Sequence, residues 1–375
     1  MSRPLWEAYV IEGLDKIPNL PMGCFAIYTK LHHSLVDGAR GSNILALLHD
    51  LEPTPPAAED EQPVHLADTP PSMAELLSKA SVNGVKNSLG LARGTVASSF
   101  SLGKYGLGLA RGTIPLPEIT APRSRFNGPV GPHRVFDAAE FKLADFKRVK
   151  DAAEVKLNDV ALAVIGGAML SYVEAKGETP AGELTATVPL NMRNRRDLSD
   201  DHNQVGSVFT SLHTQQRDPV ARLKAVHASA RNAKTWGEQS PLVDAIKLAG
   251  TVSPFISRSV AQLWSRYQVS QHLSASVSTV VSNVPAPPFP LYCAGAHMVD
   301  YYGLGVLTPG VGIFHLVFSY GDKVTLSVLA DREMLPDPEF YRSCLERAFE
   351  ELDLATRPPR KRAATKKKPS SKRKA

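Results

Sequence analysis

The residue types that could do chemistry lie together in one short stretch, residues 31–38. His32 and His33 are adjacent, Asp37 follows the second histidine by four positions, and Gly38 comes directly after it. A neutral imidazole has a pKa near 6.5, so at neutral pH most of it can accept a proton. An aspartate at this distance can brace the loop by pairing with a base or an amide. The stretch therefore predicts a site for general base catalysis.

Two predicted elements position these residues. Residues 22–31 alternate as a strand does, and residues 39–51 carry apolar side chains at helical spacing. Gly38 supplies the turn between them, because glycine accepts backbone angles that other residues resist. Adjacent side chains at a strand end point to opposite faces, so only one histidine can face a given cleft. Two histidines that point to opposite faces are poorly placed to bind one metal ion. On spacing alone, a structural pair of histidines at a turn is as good an interpretation as a catalytic pair.

The longer pattern, His-His-x-x-x-Asp-Gly, resembles the active-site motif of the bacterial wax ester synthase/diacylglycerol acyltransferase family. That family belongs with the acyl-CoA-dependent acyltransferases of the chloramphenicol acetyltransferase fold. The resemblance extends over about residues 3–352, because further segments match the family's motifs in the family's order. These segments are Pro4-Leu5-Trp6, Leu157-Asn158-Asp159-Val160, Val188-Pro189-Leu190-Asn191-Met192-Arg193, Asn203-Gln204-Val205-Gly206 and Ser282-Asn283-Val284-Pro285.

The resemblance implies an α/β fold of mixed sheets with helices, built as two similar lobes with the active site in the channel between them. We expect an N-terminal catalytic lobe over residues 1–130, with a helical linker at 73–120, and a C-terminal lobe over residues 131–357. A division of the family into a catalytic and a C-terminal part would instead fall near residue 200. The alternation of strand-like and helical segments favours the same α/β class.

The resemblance also implies the reaction, which is transfer of a fatty acyl group from acyl-CoA to the hydroxyl of a diacylglycerol or a long-chain alcohol. The products are triacylglycerol or wax ester and free CoA. By the motif match, His33 is the general base, Asp37 orients the loop, His32 supports it and Gly38 leaves room for the backbone. We expect no acyl-enzyme, since both substrates can meet in one channel and the sequence has no G-x-S-x-G nucleophile motif. No cofactor is expected, because acyl-CoA is a substrate.

The Asn158-Asp159 pair is the second candidate for the site. The tetrahedral intermediate needs a hydrogen-bond donor for its oxyanion, and the family places this pair near the channel, so Asn158 is a candidate donor. A helix N-cap at Asn158 explains the residue equally well, because an apolar run follows. We interpret the segments at residues 4–6 and 282–285 as structural or channel-lining, with a turn at the second. Four further histidines are expected to be structural: His202, His213, His297 and His315.

The basic charge of the chain is concentrated in its last residues. Of 375 residues 43% are hydrophobic, and the formal net charge is +6. Residues 358–375 hold 9 of the 43 Lys and Arg and none of the 37 acidic residues, so the remainder has 34 basic against 37 acidic residues. This balance argues against a nucleic-acid-binding surface over the whole body. The tail is too charged to fold, and we expect it to hold the protein on an anionic membrane or on lipid inclusions, or else to be solvated or to bind nucleic acid.

Compartment signals indicate a cytoplasmic or peripheral protein. The three cysteines form an odd, sparse set, which is typical of a reducing compartment. The first residues have no apolar signal core, and the longest apolar stretch, residues 160–170, is shorter than the roughly 20 residues of a spanning helix.

The rest of the chain yields a coarse set of elements. Residues 88–95 and 106–113 are near repeats, 18 residues apart, and we favour a linker packed on protein over a segment lying on lipid. A hairpin turn is predicted at Gly321-Asp322. Strands are predicted at 4–15, 135–141, 184–190, 204–213, 277–281, 313–320 and 324–330, and helices at 143–152, 158–176, 218–236, 242–268 and 338–352.

Family members carry further residues before the segment that begins here at Pro4. We therefore expect an incomplete N-terminal lobe, and a chain that is aggregation-prone and weakly active when expressed alone. Two alternatives stay open from the sequence. The chain could be a non-catalytic protein of lipid surfaces, or an acyltransferase with another acceptor, such as an amine or a polyketide hydroxyl.

Overall fold

The computed structural model describes most of the C-terminal part of the chain and the start of the N-terminal part. The described residues are 4–18, 20–32, 48–54, 121–191, 205–239, 277–285 and 289–357, with short pieces at 72–75, 78–79, 82, 107–108, 111–112, 258–259, 262–263 and 287. The predicted linker at 73–120 and the predicted helix at 242–268 therefore lie mostly outside the described residues. The tail at 358–375 lies wholly outside them.

The N-terminal part contains a hairpin of two strands, β1 (Trp6–Ile11) and β2 (Ala26–Leu31). They pair antiparallel, with Trp6 opposite Leu31 and Ile11 opposite Ala26, and a short 3-10 helix, Leu14–Lys16, lies in the connection. The strand predicted at 22–31 is thus shorter at its start. The chain still turns at residues 22–23, where the Gly23 N–H donates to Asp15 Oδ1 at 2.7 Å.

The predicted helix at 39–51 is wrong over its described end. Residues 48–51 are not helical. Asp50 pairs instead with Tyr292, and each backbone N–H donates to the partner's carbonyl oxygen, at 2.7 and 2.9 Å. These two hydrogen bonds tie the segment after the histidine motif to the C-terminal part of the chain.

A mixed sheet of six strands forms the centre of the C-terminal part. The six strands are β3 (Arg134–Lys142), β4 (Thr185–Asn191), β5 (Val205–Ser211), β6 (Thr279–Pro285), β9 (Ile313–Tyr320) and β10 (Lys323–Asp331). Their order in the sheet is β3-β10-β9-β6-β4-β5. β6 runs parallel to both of its neighbours, and the other pairs are antiparallel. A two-stranded sheet, β7 (Tyr292–Cys293) with β8 (Ala296–His297), lies between β6 and β9 in the chain.

Four helices cover one face of this sheet, and the core lies between the two layers. The helices are α1 (Leu143–Ala153), α2 (Leu157–Ala175), α3 (Pro219–Gln239) and α4 (Pro338–Thr356). Among the described residues α2 alone is long and apolar enough to cross a membrane by those two criteria. Its residues from Val160 to Met169 are all buried inside the protein, as those of a core helix are.

Apart from the helix predicted at 242–268, the predicted strands and helices of this part are confirmed where they are described, with one correction. Residues 282–285 do not form a turn but lie inside β6, because their backbone continues the parallel ladder with β9 as far as Pro285 opposite Ser319. The β9–β10 hairpin is confirmed, with its turn at Gly321-Asp322. The mixed α/β fold that the motifs implied is therefore the observed one.

Candidate active site

The N-terminal hairpin and the sheet face opposite the four helices line a cleft of about 2640 Å³. Successive side chains of a strand point to opposite faces. On β9, Ile313, His315 and Val317 therefore point into the core, and Phe314, Leu316 and Phe318 point to the cleft side of the sheet. The cleft exceeds the roughly 300–1,000 Å³ of ordinary small-molecule sites, so it has room for a large ligand. Its sheet wall is mainly apolar and includes Phe136, Ala138, Phe314, Leu316 and Phe318.

The histidine motif begins at the edge of this cleft. Leu31, the last residue of β2, lines the cleft. His32 follows, and its N–H donates to the Leu5 carbonyl oxygen at 2.8 Å, which continues the β1–β2 pairing to the first histidine. The described chain ends there, so His33, Asp37 and Gly38 lie outside the described residues. The roles assigned to them stay predictions.

Asn158 lies in the first turn of α2 and contacts β6. The Asn283 Nδ2 group donates to Asn158 Oδ1 at 3.3 Å, and Asn283 belongs to the cleft lining. The fold thus joins two motif segments that are 125 residues apart in sequence. This contact uses the carbonyl oxygen of Asn158, whereas an oxyanion would need the amide nitrogen at the other end of the same group.

The alternative role of Asn158 as the helix N-cap is wrong. α2 begins at Leu157, and the N-cap residue is Lys156, so Asn158 is already inside the helix. The Lys156 N–H donates to Asp159 Oδ2 at 2.9 Å. Asp159 therefore supplies the side chain that satisfies the start of the helix, as an acidic residue in the first turn commonly does.

Asp159 also joins α2 to α3 through a histidine that the sequence did not single out. Asp159 is 3% exposed, and its Oδ2 atom lies 2.6 Å from His227 Nδ1. A buried carboxylate needs such partners, because an unpaired one would be strongly disfavoured. Asp159 therefore has a supporting role, holding the turn that carries Asn158, and no sequence signal connects it with a residue 68 positions away.

Two of the histidines that we predicted to be structural form hydrogen bonds with neighbouring side chains, whereas His297 is exposed and belongs to the cleft lining. His315 is buried between Thr279 Oγ1 at 2.8 Å and the Tyr341 hydroxyl at 2.7 Å, and burial lowers its pKa to about 3. His213 Nε2 lies 2.8 Å from Ser229 Oγ. His297 packs its ring against Tyr292, with the ring centroids 5.3 Å apart. His202 lies outside the described residues.

Sequence comparison identifies the class of protein that this fold and cleft define. The profile of the wax ester synthase/diacylglycerol acyltransferase catalytic domain matches residues 1–161, and that of the family's C-terminal domain matches residues 202–353. A putative diacylglycerol O-acyltransferase of Mycobacterium tuberculosis is 34% identical over 355 residues, which cover 94% of this chain and 75% of that protein. A second one from the same organism is 32% identical over 360 residues, covering 96% and 76%.

A solved structure agrees with the sequence matches. The wax ester synthase/diacylglycerol acyltransferase from Marinobacter aquaeolei VT8 superposes with a TM-score of 0.61 at 25% identity, covering 94% of this chain and 72% of that one. The protein is therefore an acyltransferase. It belongs to the wax ester synthase/diacylglycerol acyltransferase family, as the motifs between Pro4 and Pro285 predicted.

Proposed function

We propose that the protein transfers a fatty acyl group from acyl-CoA to the hydroxyl of a diacylglycerol or a long-chain alcohol. The products are triacylglycerol or wax ester and free CoA. Family membership supports the reaction class, and the observation that supports the substrates is the cleft of about 2640 Å³, whose largely apolar walls suit alkyl chains. The strand that carries the histidine motif forms one edge of this cleft.

In the proposed mechanism His33 is the general base. Its imidazole takes the proton of the acceptor hydroxyl while the hydroxyl oxygen attacks the thioester carbonyl carbon. The tetrahedral intermediate then collapses, the carbon–sulfur bond breaks, and the proton passes to the CoA sulfur. A positioned base of this kind contributes about 10²–10⁴-fold to the rate. Asp37 orients the loop, His32 supports it at the end of β2, and Gly38 leaves space for the backbone.

The oxyanion of the intermediate needs a donor that is already oriented. Asn158 is our candidate, and its contact with Asn283 supports this role because it fixes the Asn158 amide beside a residue of the cleft lining. Asp159 fixes the same helical turn through Lys156 and His227. No acyl-enzyme and no cofactor take part in this scheme, since the thioester is already activated and both substrates share the cleft.

We further propose that the protein is cytoplasmic and binds peripherally to the inner membrane face or to lipid inclusions, where its lipid acceptors lie. The support is compositional. Residues 358–375 hold nine Lys and Arg and no acid, and near an anionic surface each such residue contributes about 1 kcal/mol.

The experiment that tests the function is turnover with defined acceptors. Purified protein is given palmitoyl-CoA with hexadecanol, with a diacylglycerol, with a long-chain amine or with no acceptor. Thiol release and the lipid product are both measured. We expect ester formation and matching CoA release with the alcohol or the diacylglycerol. Amide formation alone would overturn the proposed acceptor class, and the absence of any product would overturn the catalytic proposal.

A further inference from the structure

One segment of the cleft wall has a side-chain arrangement that the proposed mechanism does not use. Residues 298–308, here called the strap, line the cleft and lie across the cleft-facing side of β9. The Tyr301 ring meets the Phe318 ring edge-on, with the ring centroids 4.6 Å apart. The Tyr302 ring meets the Phe136 ring of β3 in the same manner at 6.1 Å.

Two glycines let the strap lie directly on the sheet. A Cβ atom on Gly303 would lie 1.8 Å from Leu316 Cδ2, and one on Gly305 would lie 2.2 Å from Phe314 Cδ1. No side chain fits at either position without displacing the aromatic and aliphatic side chains below. The inward side of the strap is therefore closed against β9.

The outward side of the strap consists of the alternate residues. Tyr302, Leu304 and Val306 face the cleft and are 39%, 44% and 61% exposed. The Tyr302 hydroxyl donates to the Glu140 carboxylate, and burial raises the pKa of this tyrosine, so the hydroxyl keeps its proton. Tyr302 is thus anchored to β3, which leaves Leu304 and Val306 as the apolar side chains that the strap presents to the cleft.

A second polar contact fixes the same end of the strap, two residues before Tyr302. Lys323 Nζ donates to the Asp300 carboxylate and lies 3.5 Å from Glu140 Oε2. The strap is anchored at Asp300 and Tyr302, and its two glycines let it pack directly on β9. Leu304 and Val306 are therefore held at fixed positions. Exposed apolar side chains at fixed positions in a cleft are suited to contact an alkyl chain, because that contact removes apolar surface from water.

We propose that Leu304 and Val306 determine the length of the alkyl chain that the cleft accepts. This inference rests on the proposed function, and it names the part of the cleft that selects the length of the alkyl chain. The chain belongs either to the acyl-CoA or to the alcohol, since both present the same methylene groups to the wall. One methylene more or fewer in an apolar pocket changes the rate about 10–200-fold, so a single enlarged side chain should shift the preferred length.

The test uses Leu304→Trp and Val306→Phe, which narrow the cleft, and Val306→Ala, which widens it. Leu354→Trp is the matched control, because Leu354 is 56% exposed on α4, on the helical side of the sheet. Binding of octyl-, dodecyl- and hexadecyl-CoA thioethers is measured by calorimetry. A second arm measures kcat/KM for octanol, dodecanol and hexadecanol with a single acyl-CoA.

We expect the two narrowing variants to lower the preference for the hexadecyl over the octyl chain at least tenfold in one arm. Val306→Ala should raise that preference, and Leu354→Trp should leave it unchanged. A shift in the thioether arm assigns the wall to the acyl chain, and a shift in the alcohol arm assigns it to the acceptor. Unchanged length preference of the folded variants in both arms would overturn the inference, as would a parent that neither binds a thioether nor distinguishes the alcohols. If the parent binds the thioethers but transfers no acyl group, the proposed function is contradicted. In that case the thioether binding measurements alone test the role of Leu304 and Val306.

Discussion

The buried histidine of the central sheet predicts a specific dependence of stability on pH. His315 lies on β9 with no exposed surface, between the Thr279 and Tyr341 hydroxyls. Burial lowers its pKa to about 3, whereas a histidine in an unfolded chain has a pKa near 6.5. Between these two values the unfolded chain binds a proton at this residue and the folded protein does not.

The sign and the size follow from that difference. Because the unfolded state binds more protons, the free energy of unfolding falls as the pH falls through 6.5, and the full loss is reached near pH 3. A pKa difference of about 3.5 at roughly 1.36 kcal/mol for each pKa unit gives about 5 kcal/mol in total. Between pH 7 and pH 5 the share of this one residue is about 2 kcal/mol.

The assay is urea unfolding of the parent and of His315→Gln at pH 7 and at pH 5. The glutamine does not titrate, so we expect the parent to lose about 2 kcal/mol more than the variant over this interval. Comparing the losses removes any change in absolute stability that the substitution itself causes. His133→Gln, at an exposed position, is the control and should lose as much as the parent. Equal losses in the parent and in His315→Gln would refute the reasoning.

Three further predictions concern the site and the tail. Asp159→Ala removes the buried carboxylate that binds His227 and joins α2 to α3, so the free energy of unfolding measured in urea should fall by about 3 kcal/mol. A loss under about 1 kcal/mol would contradict its supporting role. Asn158→Ala should lower kcat for CoA release by about 10²–10³-fold without a comparable loss of stability. A kcat like that of the parent would show that Asn158 does not bind the oxyanion. Asn283→Ala, which removes the donor to Asn158 Oδ1, is the comparison variant. Deleting residues 358–375 should abolish flotation with phosphatidylglycerol vesicles, and unchanged flotation would remove the membrane tether.

Much of the C-terminal fold could be predicted because its signals are local. Alternating apolar residues on both sides of Gly321-Asp322 define the β9–β10 hairpin, and the observed β9 has the predicted bounds, Ile313–Tyr320. The apolar run after Asn158 predicts α2, whose first residue is Leu157. Such patterns indicate which face of a strand or helix is buried, and they can be recognised without knowing which element packs against that face.

The sequence-based predictions are wrong where a residue distant in the chain determines the local structure. Residues 282–285 contain asparagine and proline, which are typical of a turn, yet the parallel partner β9 keeps them extended. Asn158 has the residue type of an N-cap, but Asp159 reaches back to Lys156 and places the helix start earlier. Residues 48–51 continue a helical pattern in the sequence, and their bridge to Tyr292 excludes it.

The candidate site could be predicted only in part for the same reason. The histidine motif is contiguous, so its residues could be named from the sequence. The contact between Asn158 and Asn283 and the pair formed by Asp159 and His227 each join residues far apart in the chain. The strap was missed because nothing in its sequence alone shows that Gly303 lies against Leu316.

In the proposed mechanism His33 removes the proton from the acceptor hydroxyl, and one comparison of variants tests this step most directly. His33→Ala, His32→Ala and the parent are assayed for CoA release from palmitoyl-CoA in the presence of hexadecanol, after circular dichroism has shown that all three melt alike. We predict that His33→Ala loses about 10²–10⁴-fold in kcat, while His32→Ala retains most of the parent's activity. Turnover by His33→Ala at the rate of the parent would contradict the account.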